Sequence, residues 1–196
     1  MLEVLTGSGL AVAAGLNAYI PLLILGVAGR VFDFVELPVA WVWLENPWVI
    51  GILVVLLIVE LVADKVPVVD SINDWIQTVI RPAAGGIAFG TGAASETAVV
   101  SDPASFFSST AWVPVVVGIV LALATHAAKM AVRPALNAAT AGAAAPVVST
   151  VEDISSVLLS VLALIVPVLG VLAIIGLIVL LVVRVRRARR TTSLVP

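Results

Sequence analysis

No cysteine occurs among the 196 residues, which excludes disulfides, thiolate metal sites and cysteine nucleophiles. A single histidine, His126, rules out a multi-histidine metal centre within one chain. Charge is scarce as well. Only 11% of residues are Asp, Glu, Lys or Arg, against about 25% for a domain that must cover itself with a water-facing surface. Charge is missing altogether between Glu3 and Arg30, between Asp102 and His126, and between Asp153 and Arg184. Each gap exceeds the roughly 20 apolar residues that cross a bilayer. The N-terminal MLEVLTGSGL lacks the basic stretch of a cleavable signal, so the first apolar segment is read as retained. Serine nucleophile elbows, phosphate loops, kinase and dinucleotide motifs are all wanting. No enzyme activity, cofactor, metal or nucleic-acid partner is expected.

What is present is apolar: 62% of residues are hydrophobic and the mean hydropathy is +1.23. The expectation is a single integral membrane domain over 1–196, an all-α polytopic helix bundle. It has four main transmembrane helices, near 5–28, 48–66, 112–132 and from 152 to 183, the last bent near Pro167 and Gly170. Asn17 and Pro21 are expected to kink the first. Two short Gly- and Ala-rich pieces, 72–94 and 134–149, are read as broken or re-entrant segments, with full spans as the alternative. Trp41, Trp43 and Trp48 suit a headgroup belt, and Ser95–Thr110 a loop. Five of ten basic residues lie in RVRRARR, Arg184 to Arg190. The tail 184–196 is therefore placed in the cytoplasm of a bacterial inner membrane by the positive-inside rule.

A shift of 64 positions aligns Trp48 with Trp112, Lys65 with Lys129 and Asn73 with Asn137, suggesting repeat halves at 1–95 and 111–183. If both short pieces re-enter, the halves are inverted, as in many transporters. If both span, the halves are parallel, and the acidic stripe of the second span faces the basic stripe of the third.

The polar residues concentrate in ELVADKVPVVDSINDWIQTVIRP, Glu60 to Pro82. Glu60 and Asp64 are four apart and share a helix face. An ionised group near the bilayer centre costs about 2.5–3.5 kcal/mol, so such residues need a partner or a proton. Glu60, Asp64 and His126 are assigned proton coupling, against a structural ion pair as the plainer alternative. Arg81 and Arg133 each precede a proline, where a guanidinium can hold a carboxylate or phosphate. With Asn17, Asn73 and Asn137 they form the expected substrate site, the alternative being headgroup anchors. Lys65, Asp70, Asp74 and Lys129 complete the polar cluster, with Asp70 or Ser71 a helix cap and Glu152–Asp153 a helix start.

These features suggest a small membrane transporter or a lipid or anion translocase, proton-coupled, with an intramembrane polar site at the repeat interface. Its partners would be membrane lipid and a small anionic solute or lipid headgroup. Gly7, Ala11 and Gly15 offer a smooth face for a possible homodimer. The alternative is a non-transporting scaffold or assembly factor whose buried polar residues only lock helices together.

GLNAYIPLLILG (Gly15–Gly26), the stretch from Glu45 to Gly86, and Arg133-Pro134 in the second half carry a resemblance. They resemble a bacterial and plastid family of small integral membrane proteins, catalogued as domain of unknown function 4126. The likeness runs from about Leu10 to Val183 and is most specific at ADKVPVVD and the Arg-Pro that follows. It implies a membrane fold in which the polar residues act as a unit, and brings no activity with it.

Overall fold

The computed structural model describes residues 2–32, 35–93, 112–165, 174–184 and 186, without the side chains of residues 2, 67, 68, 70, 71 and 93. The expected loop at 95–110, the bend near Pro167 and Gly170, and most of the basic tail lie outside these residues. Every regular element among them is helical. In order they are α1 Leu2–Leu16, α2 Tyr19–Val31, a 3-10 turn Val42–Glu45, α3 Pro47–Ala63 and α4 Pro67–Ala93. Then come α5 Trp112–Ala139, α6 Ala145–Ile165 and α7 Ile174–Arg184.

The first apolar segment is two helices, where a kinked single span was expected. The side-chain Oδ1 of Asn17 accepts from the backbone N–H of Tyr19 at 3.1 Å and of Ile20 at 3.3 Å. It thereby satisfies the free donors at the start of α2. Pro21 falls in the first turn of α2, where a missing N–H breaks no helical bond. Asn17, not Pro21, makes the break. α3 starts in a related way: Asn46 Oδ1 accepts from Trp48 N at 2.9 Å, with Pro47 at the first helical position.

Contacts between glycines and their neighbours fix the helix directions. A methyl on Gly7 would lie 2.9 Å from the Phe89 carbonyl oxygen, while Gly15 O accepts from Arg81 at 3.4 Å, so α1 and α4 are antiparallel. Gly9 packs on Ala163 and Ser156 Oγ donates to Ala13 O at 3.0 Å, so α1 and α6 are antiparallel too. Gly118 lies on Gly85 and His126 beside Thr78, which makes α5 antiparallel to α4. Trp41, just ahead of α3, packs on Gly90, while Glu60 near the far end of α3 reaches Arg81. α3 therefore also opposes α4. Gly26 of α2 sits on Leu44 and near Ile50, so α2 returns toward the end from which α1 set out. α1 and α2 form a helical hairpin with its tip at Asn17–Ala18, inserted among the longer helices. Leu10, Ala14, Ala18, Leu22, Leu25, Leu53, Ala84 and Ala88 form the apolar core around it.

Three expectations are corrected. First, 72–94 is no re-entrant segment. Its described part, 72–93, belongs to the 27-residue α4, which continues through Pro82. Second, 134–149 is the end of α5, a turn over 140–144, and the start of α6, again with Pro134 inside the helix. The glycines that suggested breaks are close-approach points instead, where two backbones meet because no side chain intervenes. Third, α3 and α5 run the same way, as do α4 and α6, so the α3–α4 and α5–α6 pairs are related in parallel and not inverted. Lys65 and Lys129 lie toward the same end.

Outward faces are apolar. Val55, Ile58, Val59 and Val62 on α3, Ile72, Ile76 and Val79 on α4, and Val147, Val151, Ile154 and Leu158 on α6 are all exposed. α5 and α6 are each long and apolar enough to cross a membrane. The bundle is greasy outside and charged inside.

Candidate functional site

The charged residues meet where the C-terminal turn of α3, the first half of α4, the second half of α5 and the middle of α6 lie side by side. Helical spacing delivers them. Asp74, Gln77, Thr78 and Arg81 fall on one face of α4, and His126, Lys129 and Arg133 on one face of α5. All seven except the half-buried Thr78 are buried, as are Glu60 and Asp64.

Arg81 is the inner anchor and is fully buried. Its Nη2 donates to Glu60 Oε1 at 2.8 Å and lies 3.7 Å from Asp64 Oδ2. Its Nη1 lies 3.1 Å from His126 Nδ1. A guanidinium only donates, so Nδ1 must accept and the imidazole proton resides on Nε2. Nε2 in turn donates to the Asp74 carbonyl oxygen at 3.1 Å. The Thr78 hydroxyl donates to that same carbonyl at 2.9 Å and lies 3.2 Å from Nε2. Both imidazole nitrogens are thus committed in a neutral ring.

Asp64 is the hub. Its Oδ1 accepts from Asn73 Nδ2 at 2.8 Å, and its Oδ2 lies 3.3 Å from Lys129 Nζ and 3.5 Å from Arg133 Nη2. Lys129 also reaches Glu152 at 3.2 Å and Asp74 at 3.8 Å. Arg133 closes on Glu152 through both Nε and Nη2. Glu152, with its side chain 14% exposed, is the most accessible member of these pairs. The parallel arrangement is what brings the acids of α3 onto the bases of α5.

Asn17, at the hairpin tip, donates from Nδ2 to Asp153 Oδ1 at 2.9 Å. The predicted residues Asn17, Glu60, Asp64, Asn73, Asp74, Arg81, His126, Lys129 and Arg133 therefore lie in one connected region. Two do not join it. Lys65 is exposed and turns its Nζ back to the Leu61 carbonyl at 3.0 Å, where a cation suits the end of α3. Asn137 is half-buried one turn past Arg133, its backbone carbonyl accepting from Gly142 N at 2.8 Å. The side chain of Asp70 lies outside the described residues. Glu152 and Asp153 are more than a turn inside α6, not at its start. The dimer face Gly7, Ala11 and Gly15 is buried inside the monomer against Phe89 and Ala122.

Gln77 and Thr78 were given no part by the sequence, although their spacing from Asp74 and Arg81 puts them on the same helix face. Tyr19, buried at the start of α2 beside Gln77, had no such signal. Three or more His, Asp or Glu placed to hold a metal ion are not found among the described residues.

The balance of charge is uneven. Glu60, Asp64, Asp74, Glu152 and Asp153 face Arg81, Lys129 and Arg133, an excess of two carboxyls with His126 neutral. Glu60 Oε2, Asp74 Oδ1 and Asp153 Oδ2 are buried and accept no hydrogen bond; of the three, Asp74 Oδ1 has a cation within ion-pair distance, Lys129 at 3.8 Å. A buried charge without a counter-charge costs several kcal/mol.

No curated protein and no solved structure matches this chain. The model of a domain of unknown function, DUF4126, covers residues 4–187, a span that takes in the hairpin tip and all four helices of the network, and the chain belongs to that family.

Proposed function

We propose that this chain is a small proton-coupled membrane transporter, in which Glu60 takes up the coupling proton and Arg133 receives an anionic solute or lipid headgroup. The observation that supports it most is the excess of buried carboxyls. Glu60 has one oxygen on Arg81 and the other unmatched, which suits a group that alternates between an ion pair and a neutral acid. Arg81, fully buried and already satisfied on both terminal nitrogens, is assigned to holding Glu60 and not to the cargo. Arg133 differs because its partner Glu152 is the accessible end of the network. A carboxylate or phosphate entering there can replace Glu152 on the guanidinium, two oxygens for two.

The apolar outer faces and the two membrane-length helices support placement in a bilayer. Lys65, Lys129 and Arg133 lie toward one end and Arg30, bonded to the Glu45 carbonyl, toward the other, so by its excess of Lys and Arg the positive-inside rule favours the network's open end as the cytoplasmic side.

The test is proton flux into liposomes holding the purified protein and a pH-sensitive dye, with inorganic phosphate as trial solute and a fluorescent phosphatidylglycerol as trial lipid. Solute- or lipid-dependent acidification that Glu60→Gln abolishes, in a variant that still folds, is the expected result. Folded protein that moves neither protons nor cargo overturns the reading. One observation favours a scaffold instead: every described cation of the network is already paired with protein. A scaffold predicts that Glu60→Gln lowers stability and that phosphate at any concentration leaves the melting temperature of the wild type unchanged.

A further inference from the structure

Glu152 and Asp153 are adjacent acids on α6 with opposite surroundings. Glu152 is matched by Lys129 and Arg133. Asp153 points toward the hairpin tip and meets no cation within ion-pair distance among the described residues. Its one hydrogen bond comes from Asn17 Nδ2, at 2.9 Å. The Asn17 amide cannot turn round, because its Oδ1 already accepts the N–H groups of Tyr19 and Ile20. Asn17 therefore only donates to Asp153 Oδ1, which leaves Oδ2 as the oxygen able to carry a proton. Asp153 as a whole is half-buried, but that oxygen is buried without a hydrogen-bond partner. No described cation touches it, and the two that act on it from a distance, Lys65 and Lys129, are engaged elsewhere. Asp64 repels it, Lys129 is shared between Asp64 and Glu152, and Lys65 faces outward with its Nζ on Leu61 O.

We propose that Asp153 is a second proton-binding site, distinct from Glu60, whose proton latches the tip of the α1–α2 hairpin against α6. With the proton on Oδ2 the carboxyl is neutral and the tip stays dry. Removing it leaves an unmatched carboxylate beside Asn17 and Ala18, both fully buried, and the carboxylate is stabilised only by admitting water. The tip then opens as pH rises. This extends the proton-coupled reading, yet its test measures protonation directly and needs no transported solute.

Infrared spectra of the full chain in lipid nanodiscs are expected to show two buried protonated carboxyls at neutral pH. Asp153→Asn removes one, Glu60→Gln removes the other, and Glu152→Gln removes neither. If Asp153→Asn fails to fold, Glu60→Gln still decides, since a spectrum of that variant with no protonated buried carboxyl overturns the proposal. Loss of the Glu60 component alone would count against the transport reading and leave Asp153 standing. For the latch, the probe is maleimide labelling of Ala18→Cys in a chain with no other cysteine. The rate, divided by that of the same cysteine in an Asp153→Asn background, should climb about tenfold per pH unit once the proton begins to leave, the slope of a one-proton linkage. A ratio flat with pH overturns the latch.

Discussion

Arg81 links three helices through one guanidinium: Glu60 on α3, His126 on α5 and the Gly15 carbonyl at the end of α1. Replacing it with methionine leaves Glu60 and Asp64 short of a counter-charge in a place water does not reach. The expected loss is about 3–5 kcal/mol, the usual cost of removing one partner from a buried pair, read as a fall in the denaturation midpoint in detergent. Arg81→Lys should recover little, because an ammonium on a single stem cannot reach all three partners at once. Glu60→Gln placed on top of Arg81→Met should recover part of the loss, since it removes the unmatched charge; simple additivity in that double-mutant cycle would mean the two residues do not interact. At this scale much could be read from the chain. Glu60 with Asp64, and His126 with Lys129 and Arg133, declare their shared faces by spacing. Their partners were less legible. Asn17 and Asp153 are 136 positions apart, and no local pattern connects them. The hydrogen-bond accounting that separates Glu152 from Asp153 exists only once the helices are packed.

Glycine and proline were misread for a physical reason: the same residues that interrupt a helix in water permit close packing in a bundle. Pro82 removes one backbone bond from α4 and the helix persists, as membrane-type helices do when neighbours support them. Gly85 and Gly118 allow α4 and α5 to touch backbone to backbone. A methyl on Gly85 would collide with Ala122 and sit 2.8 Å from the Gly118 carbonyl oxygen. Gly85→Ala is therefore expected to destabilise by about 1–3 kcal/mol through overpacking. Gly51, in the second turn of α3, supplies the control. Nothing lies within 4 Å of a methyl there, and Gly51→Ala should stabilise by about 0.5–1 kcal/mol by favouring the helix. Equal gains at both positions would mean that helix propensity governs and contact does not. The turn between α5 and α6 offers a third case. Ala141 has φ 50°, a left-handed conformation that costs a residue with a Cβ about 1–2 kcal/mol. Ala141→Gly should recover a good part of that, seen as a higher thermal midpoint with the infrared helix bands unchanged.

The parallel relation of α3–α4 to α5–α6 decides how the whole molecule faces the bilayer. Short turns at Asp64–Val66 and 140–144 join each pair toward the same end, which also holds Lys65 and Arg133. Had the halves been inverted, these turns would lie on opposite sides of the membrane, with acids and bases separated by its thickness. The 64-residue echo showed that two similar units existed. It did not show their relative direction, because that hinges on whether 72–94 crosses or returns, and α4 at 27 residues is about 40 Å long at 1.5 Å per residue, more than the roughly 30 Å of a bilayer core. The absence of native cysteine makes the matter measurable. Single cysteines at Lys65 and Thr140 should react with a membrane-impermeant maleimide from one side, and cysteines at Trp43 and Trp112 from the other. On the orientation proposed from the positive-inside rule the first pair would face the cytoplasm, and in intact cells it should then label only after the membrane is opened. If Lys65 and Thr140 label from opposite sides, the directions of α4 and α5 are wrong. Asp64 then has no Lys129 or Arg133 beside it, and a buried network shared by the two halves has no geometry to stand on.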